Sequence, residues 1–88
     1  MAAGDICPQT IRQCILEKTQ ARGAEKTICP SEVARELGGN DWRSLMDSVR
    51  QAGIALVDAD KILVTQKGKV VDPHIAKGPI RYRLKAKR

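Results

Sequence analysis

At 88 residues, with 42% hydrophobic side chains but a 2% aromatic fraction, the chain has material for one small domain, residues 1–88, whose core is built from Ile, Leu, Val and Ala. Its formal net charge of +6 is unevenly spread: residues 61–88 carry nine Lys or Arg against one acid, Asp72, a net of +8, whereas residues 1–60 carry seven against nine, a net of −2. No apolar run approaches the roughly 20 residues needed to cross a bilayer, and the first residues lack the charged-then-apolar order of a signal peptide, so a soluble, cytoplasmic protein is expected.

Residues 1–7 read as a tail. Pro8 lacks an amide proton where a helix start does not need one, so a first helix is expected over 8–22, with Ile11, Cys14, Ile15, Lys18 and Thr19 near one face and Gly23 ending it. Thr27 and Ile28 are a β-prone pair, long enough for one or two ladder bonds. Cys29, Pro30, Ser31 and Glu32 announce a second helix over 30–37: proline in the first turn, an acid near the positive end, then Val33, Ala34 and Leu37 at helical spacing, stopped by Gly38 and Gly39.

Asp41 is the expected N-cap of a longer third helix over 41–58, because Trp42, Leu45, Met46, Val49, Ala52 or Gly53, Leu56 and Val57 recur with a 3.6-residue period. Gly53 inside it costs about 1 kcal/mol relative to alanine. The period then changes to two. Ile62 and Val64 share one face of a strand over 62–66, and Ile80, Tyr82 and Leu84 share the inward face of a strand over 80–85, with Arg81, Arg83 and Lys85 outward. Between them lies a thirteen-residue loop, Lys67 to Pro79, whose apolar Val70, Val71 and Ile75 predict that it folds back on the body or offers a docking patch. Asp72 is placed to cap the turn at Pro73, or to pair with Lys67 or Arg81. Residues 86–88 form a basic tail.

Helix, short strand, helix, turn, helix, strand, loop, strand is the order of an α+β winged helix-turn-helix domain. Several runs in one order carry a family resemblance as well. Thr27-Ile28-Cys29-Pro30-Ser31-Glu32-Val33-Ala34-Arg35 is followed by Trp42-Arg43-Ser44-Leu45-Met46 and Val49-Arg50, then by Val64-Thr65-Gln66-Lys67-Gly68, Val71-Asp72-Pro73 and Gly78-Pro79-Ile80-Arg81. Over residues 8–85 the chain resembles a small bacterial family of unknown function. The resemblance implies the winged-helix fold and no established activity.

The charge asymmetry points to a polyanionic partner, and a double-stranded DNA-binding module is the expected function. In helix-turn-helix folds the second helix enters the major groove with its N-terminal part on the base edges. Here that stretch supplies Asn40, Arg43, Ser44, Asp47, Ser48, Arg50 and Gln51. Arg43 suits guanine and Gln51 suits adenine, paired contacts worth about 1–3 kcal/mol each against a wrong base. The competing account is an ordinary solvated helix face, in which Asp47 neutralises Arg43 and Arg50 at spacings of four and three. Lys67, Lys69, Lys77, Arg81, Arg83, Lys85, Lys87 and Arg88 are the expected phosphate contacts, which position without reading sequence. The same lysines would also keep an edge strand from pairing with other chains. The alternative function is a protein-interaction adaptor, because fold alone does not set function.

No enzyme is expected. Ser31 and Ser44 have no His and acid arranged around them, and Lys67-Gly68 lacks the upstream glycines of a phosphate loop. Three cysteines, Cys7, Cys14 and Cys29, are an odd number without C-x-x-C spacing, so reduced thiols are expected, Cys7 and Cys14 as two small core residues on one helix face. No metal, cofactor or small-molecule substrate is called for, His74 reads as a solvated loop residue, and Trp42 and Tyr82 read as core residues.

Overall fold

The computed structural model describes residues 6–85. Helix α1 runs Pro8–Arg22 and ends at Gly23, whose φ of 97° favours glycine and whose amide bonds the Thr19 carbonyl at 3.0 Å. It buries Ile11, Cys14, Ile15 and Thr19. Strand β1, Thr27–Ile28, leads into α2, Pro30–Gly38. The entry to α2 is closed in both directions: the Glu32 carboxylate accepts the Cys29 amide at 2.8 Å, and the Cys29 sulfur faces the Glu32 backbone. That is the reciprocal capping-box arrangement, with sulfur in place of a hydroxyl. Arg22 reaches the same carboxylate at 2.8 Å and ties the end of α1 to the start of α2. Backbone bonding at Cys29 first, and Arg22 second, hold the Glu32 carboxyl below the usual range.

The third helix expected over 41–58 is not seen as one element. Residues Gly39–Leu45 form a 3-10 run, and the α-helix, α3, is Met46–Asp58. Asp41 sits inside the 3-10 run at φ −102° and ψ 25°, so it caps nothing; instead it receives the Ser44 hydroxyl, with its carbonyl at 2.8 Å and its carboxylate at 3.0 Å. A 3-10 turn also brings residues three apart to one side, which is why the apolar spacing of Trp42 and Leu45 passed for α-helix. The far end of α3 closes as a Schellman motif: the Lys61 amide bonds the Leu56 carbonyl and the Asp60 amide the Val57 carbonyl, each at 2.9 Å, with Asp60 at φ 66°.

The strands β2 (Ile62–Gln66), β3 (Lys69–Val70) and β4 (Arg81–Leu84) complete an antiparallel sheet in the order β1-β4-β2-β3. Here too the sequence expectation is corrected. The stretch from Lys67 to Pro79 is not one open loop: Lys67 and Gly68, at φ 53° and 82°, make a two-residue turn that pairs Gln66 with Lys69. Positive φ at both turn positions matches the twist of a hairpin, at some cost for a residue with a Cβ such as lysine. Only 71–80 is then left as a return segment to β4. Val71 begins it still bonded to the sheet, its amide 2.9 Å from the Val64 carbonyl. Gln66 fastens its end, donating to the carbonyls of Lys77 and Pro79.

One face of the sheet packs on the helices. Ile28, Tyr82 and Val64 lie side by side across β1, β4 and β2 and are all buried, as are Val33, Leu45, Val49 and Leu56 beneath them. Cys14 joins this core, but Cys7 does not; it stands exposed ahead of α1, against the expectation for that pair. Among the described residues no helix is long and apolar enough to cross a membrane, and no cluster of His, Cys, Asp and Glu suits a metal ion. The expected basic tail at 86–88 and most of the N-terminal tail lie outside the described residues.

Gly53 has a packing reason. A Cβ added there would come within 2.6 Å of Tyr82 Cζ and 2.7 Å of Cε1, so the tyrosine ring lies flat against bare helix backbone. Replacing Gly53 with alanine should therefore lower stability by about 1–2 kcal/mol, the overpacking of the core outweighing the propensity gain. Thermal unfolding reads this directly, with about 4–8 °C lost per kcal/mol in a domain of this size. A raised midpoint for Gly53→Ala would mean the contact is not there.

Candidate nucleic-acid interface

Because α3 lies on one face of the sheet and the return segment passes beside it, the two elements enclose a cleft of about 340 Å³. Asp47, Arg50, Gln51 and Ile54 line it from α3; Pro73, Ala76, Lys77 and Gly78 line it from the return segment. Four of the residues expected to meet nucleic acid are thus brought together: Asp47, Arg50, Gln51 and Lys77. All four are exposed. Asp47 forms no ion pair with Arg43 or Arg50 among the described residues, so the mutual neutralisation allowed by their spacing is absent.

The remaining candidates are distributed around this cleft or away from it. Lys67 stands in the hairpin turn and Lys69 directly after it, and both are exposed. Asn40, Arg43 and Ser44 belong to the 3-10 run that precedes α3, where Ser44 is already bonded to Asp41. Arg81 and Arg83 alternate with the buried Tyr82 and so project from the opposite face of the sheet. There the Arg81 Nε donates to the Thr27 hydroxyl at 2.6 Å. Lys85 is paired with Asp60 at the end of α3, which removes it from the set of available cations. Lys67, Lys69, Lys77, Arg81 and Arg83 have no acidic partner among the described residues.

Trp42 is half-buried against the core, and it also carries two charges on its ring: the guanidinium carbons of Arg35 and Arg43 each lie 4.5 Å from the ring centroid. Guanidinium over indole is the most favourable side-chain version of this contact, about 0.5–1 kcal/mol at an exposed site. It holds both cations at fixed positions ahead of α3. Arg35 was absent from the sequence candidates because its partner is seven residues away, across the end of α2.

The return segment is held in shape by its own side chains. Asp72 caps the turn as expected, its carboxylate accepting the His74 amide at 2.9 Å while its carbonyl accepts the amides of Ile75 and Ala76. His74 is not merely solvated. Its Nε2 lies 3.0 Å from the carboxylate of Asp58, the last residue of α3. The helix dipole is negative at that end, so an imidazolium there answers both the carboxylate and the dipole. Hydrogen bonding to Asp58 is the main cause that holds the His74 imidazole above its usual 6.5.

A raised value means the latch contributes fully below pH 6.5 and fades as pH rises through the folded-state value. An NMR titration of the His74 ring should place its midpoint above the usual value, and Asp58→Asn should bring it back down. Equal midpoints in the two proteins would rule the latch out.

A family model described as a protein of unknown function (DUF3253) matches residues 8–85 of this chain. No curated protein matches it.

Proposed function

We propose that this chain, which belongs to the DUF3253 family of proteins of unknown function, is a non-enzymatic double-stranded DNA-binding module of the winged-helix type. The element order supports that reading, with β1 pairing to the last strand and the β2–β3 hairpin and return segment standing where the wing would be. The observation that carries it is the cleft. Arg50 and Gln51 from one element and Lys77 from another converge on it together with one acid, Asp47, while Asp58 and Asp60 at the far end of α3 are engaged by His74 and Lys85.

In this reading α3 lies in the major groove and the hairpin follows the sugar-phosphate backbone. Gln51 suits paired bonds to adenine and Arg50 to guanine. Asp47, which would repel a phosphate, is suited to a cytosine amino group instead. Lys67, Lys69 and Lys77 supply phosphate contacts, and Arg43, held on Trp42, supplies one ahead of α3. Arg81 and Arg83 face the other side of the sheet, so their part is the long-range attraction of the duplex rather than contact.

Anisotropy of a labelled duplex, titrated at several salt concentrations, tests this. Neutralising roughly four phosphates makes the logarithm of affinity fall against log salt with a slope of about −4. Arg50→Glu with Lys77→Glu should abolish binding, and Arg81→Glu with Arg83→Glu should weaken it far less. Absence of binding by the unaltered protein at low salt, or the reverse ranking of the two double variants, would overturn the reading.

A further inference from the structure

The two most exposed large apolar side chains among the described residues lie close together in sequence: Val70 in β3 and Ile75 in the return segment, 57% and 75% exposed. Ile75 forms one wall of a second concavity of about 490 Å³, which adjoins the cleft beside α3 through Ala76 and Lys77 and is lined as well by Gln66, Val71, Asp72 and Ile75. Its lining is largely aliphatic. It is also preformed, because the Asp72 turn fixes Ile75 and Ala76 on one side and Gln66 binds the carbonyls of Lys77 and Pro79 on the other.

The charge around it has one dominant sign. Lys77 is part of the wall, Lys69 pairs in register with Gln66 and so rises on the same sheet face beside it, and Lys67 occupies the adjoining turn. None of the three has an acidic partner among the described residues. The one acid present, Asp72, has a carboxylate oxygen committed to the His74 amide.

We infer that this groove docks a protein segment that inserts one large apolar side chain against Ile75 and Val71 and places acidic residues against Lys69 and Lys77. A concave apolar wall receives a side chain, and a lysine rim selects for carboxylates around it. Strand β3 is the outer strand of the sheet, with backbone groups on its free side placed to meet an extended segment. The inference does not depend on DNA binding, since only Ala76 and Lys77 are common to the two surfaces and Ile75, Val71 and Lys69 line or flank the groove alone.

Random peptides displayed on phage, selected on the unaltered protein and counter-selected on Ile75→Glu, test it. Ile75 is exposed enough that this change leaves the core untouched. The enriched peptides should combine one large aliphatic or aromatic residue with Asp or Glu on either side. A synthetic version should shift the amide signals of Gln66, Lys69, Ile75 and Ala76, and it should bind about tenfold or more weakly to Ile75→Glu and to Lys69→Glu. Arg50→Glu should leave it unaffected, so loss of DNA binding and loss of peptide binding are separable. No enrichment, or enriched peptides without acids, would overturn the inference. So would an Ile75→Glu variant that loses duplex binding instead, or one that loses self-association in ultracentrifugation, since the occupant would then be nucleic acid or a second copy.

Discussion

Tyr82 lies so close to Gly53 that no side chain fits between them, and most of the molecule's geometry follows from that contact. Tyr82 belongs to β4, which is bonded on both sides, to β1 and to β2, and its ring is fully buried. Seating it on the backbone of α3 sets the distance of that helix from the sheet. Burial pushes the Tyr82 hydroxyl up to about 12, so it stays neutral across the ordinary pH range. That hydroxyl is 3.4 Å from the Val49 carbonyl, a weak bond, so the ring's packing matters more than its polar end.

From this one contact comes the sorting of charge. Alternation along β4 puts Arg81 and Arg83 on the side away from α3, while the return segment that feeds β4 must pass beside α3 and carries Lys77 to it. The basic C-terminal stretch is thereby divided between two faces. Asp47 lines the cleft itself, whereas Asp58 and Asp60, beyond its lining at the far end of α3, are used within the fold, one to latch His74 and one to pair with Lys85. Exposed pairs of this kind add little stability, because water and salt screen them. Their consequence is positional: they fix the return segment and the end of β4 relative to α3, and they leave Asp47 as the one carboxylate lining the cleft beside Arg50 and Lys77.

Much of the architecture was legible in the residues. Pro8 and Gly23 marked both ends of α1, Pro30 and Glu32 marked the start of α2, and the alternation of Ile80 to Lys85 marked β4 with its correct inward face. The departures share a cause, since each depends on geometry that one-dimensional spacing does not carry. A 3-10 turn and an α-helix both bring Trp42 and Leu45 together, so spacing alone starts α3 at residue 41 rather than at Met46. Lys67-Gly68 is a weaker turn signal than Asn-Gly or Asp-Gly, so the hairpin it closes does not stand out in sequence from the longer stretch up to Pro79. Gly53 reads as a defect in a helix when its partner, Tyr82, twenty-nine residues away, is out of view. For the candidate site, residue types were readable but grouping was not: only the fold separates Arg50, Gln51 and Lys77 from Arg81 and Arg83, and only the fold brings Arg35 onto Trp42.

The most direct measurement is an amide-resolved NMR titration of the protein with duplex DNA. If α3 and the return segment hold the duplex between them, signals of Asp47, Arg50, Gln51, Lys77 and Gly78 move together, while those of Glu17 and Gln20 on the exposed side of α1 stay in place. Shifts confined to α1, or no shifts at low salt, would contradict the account.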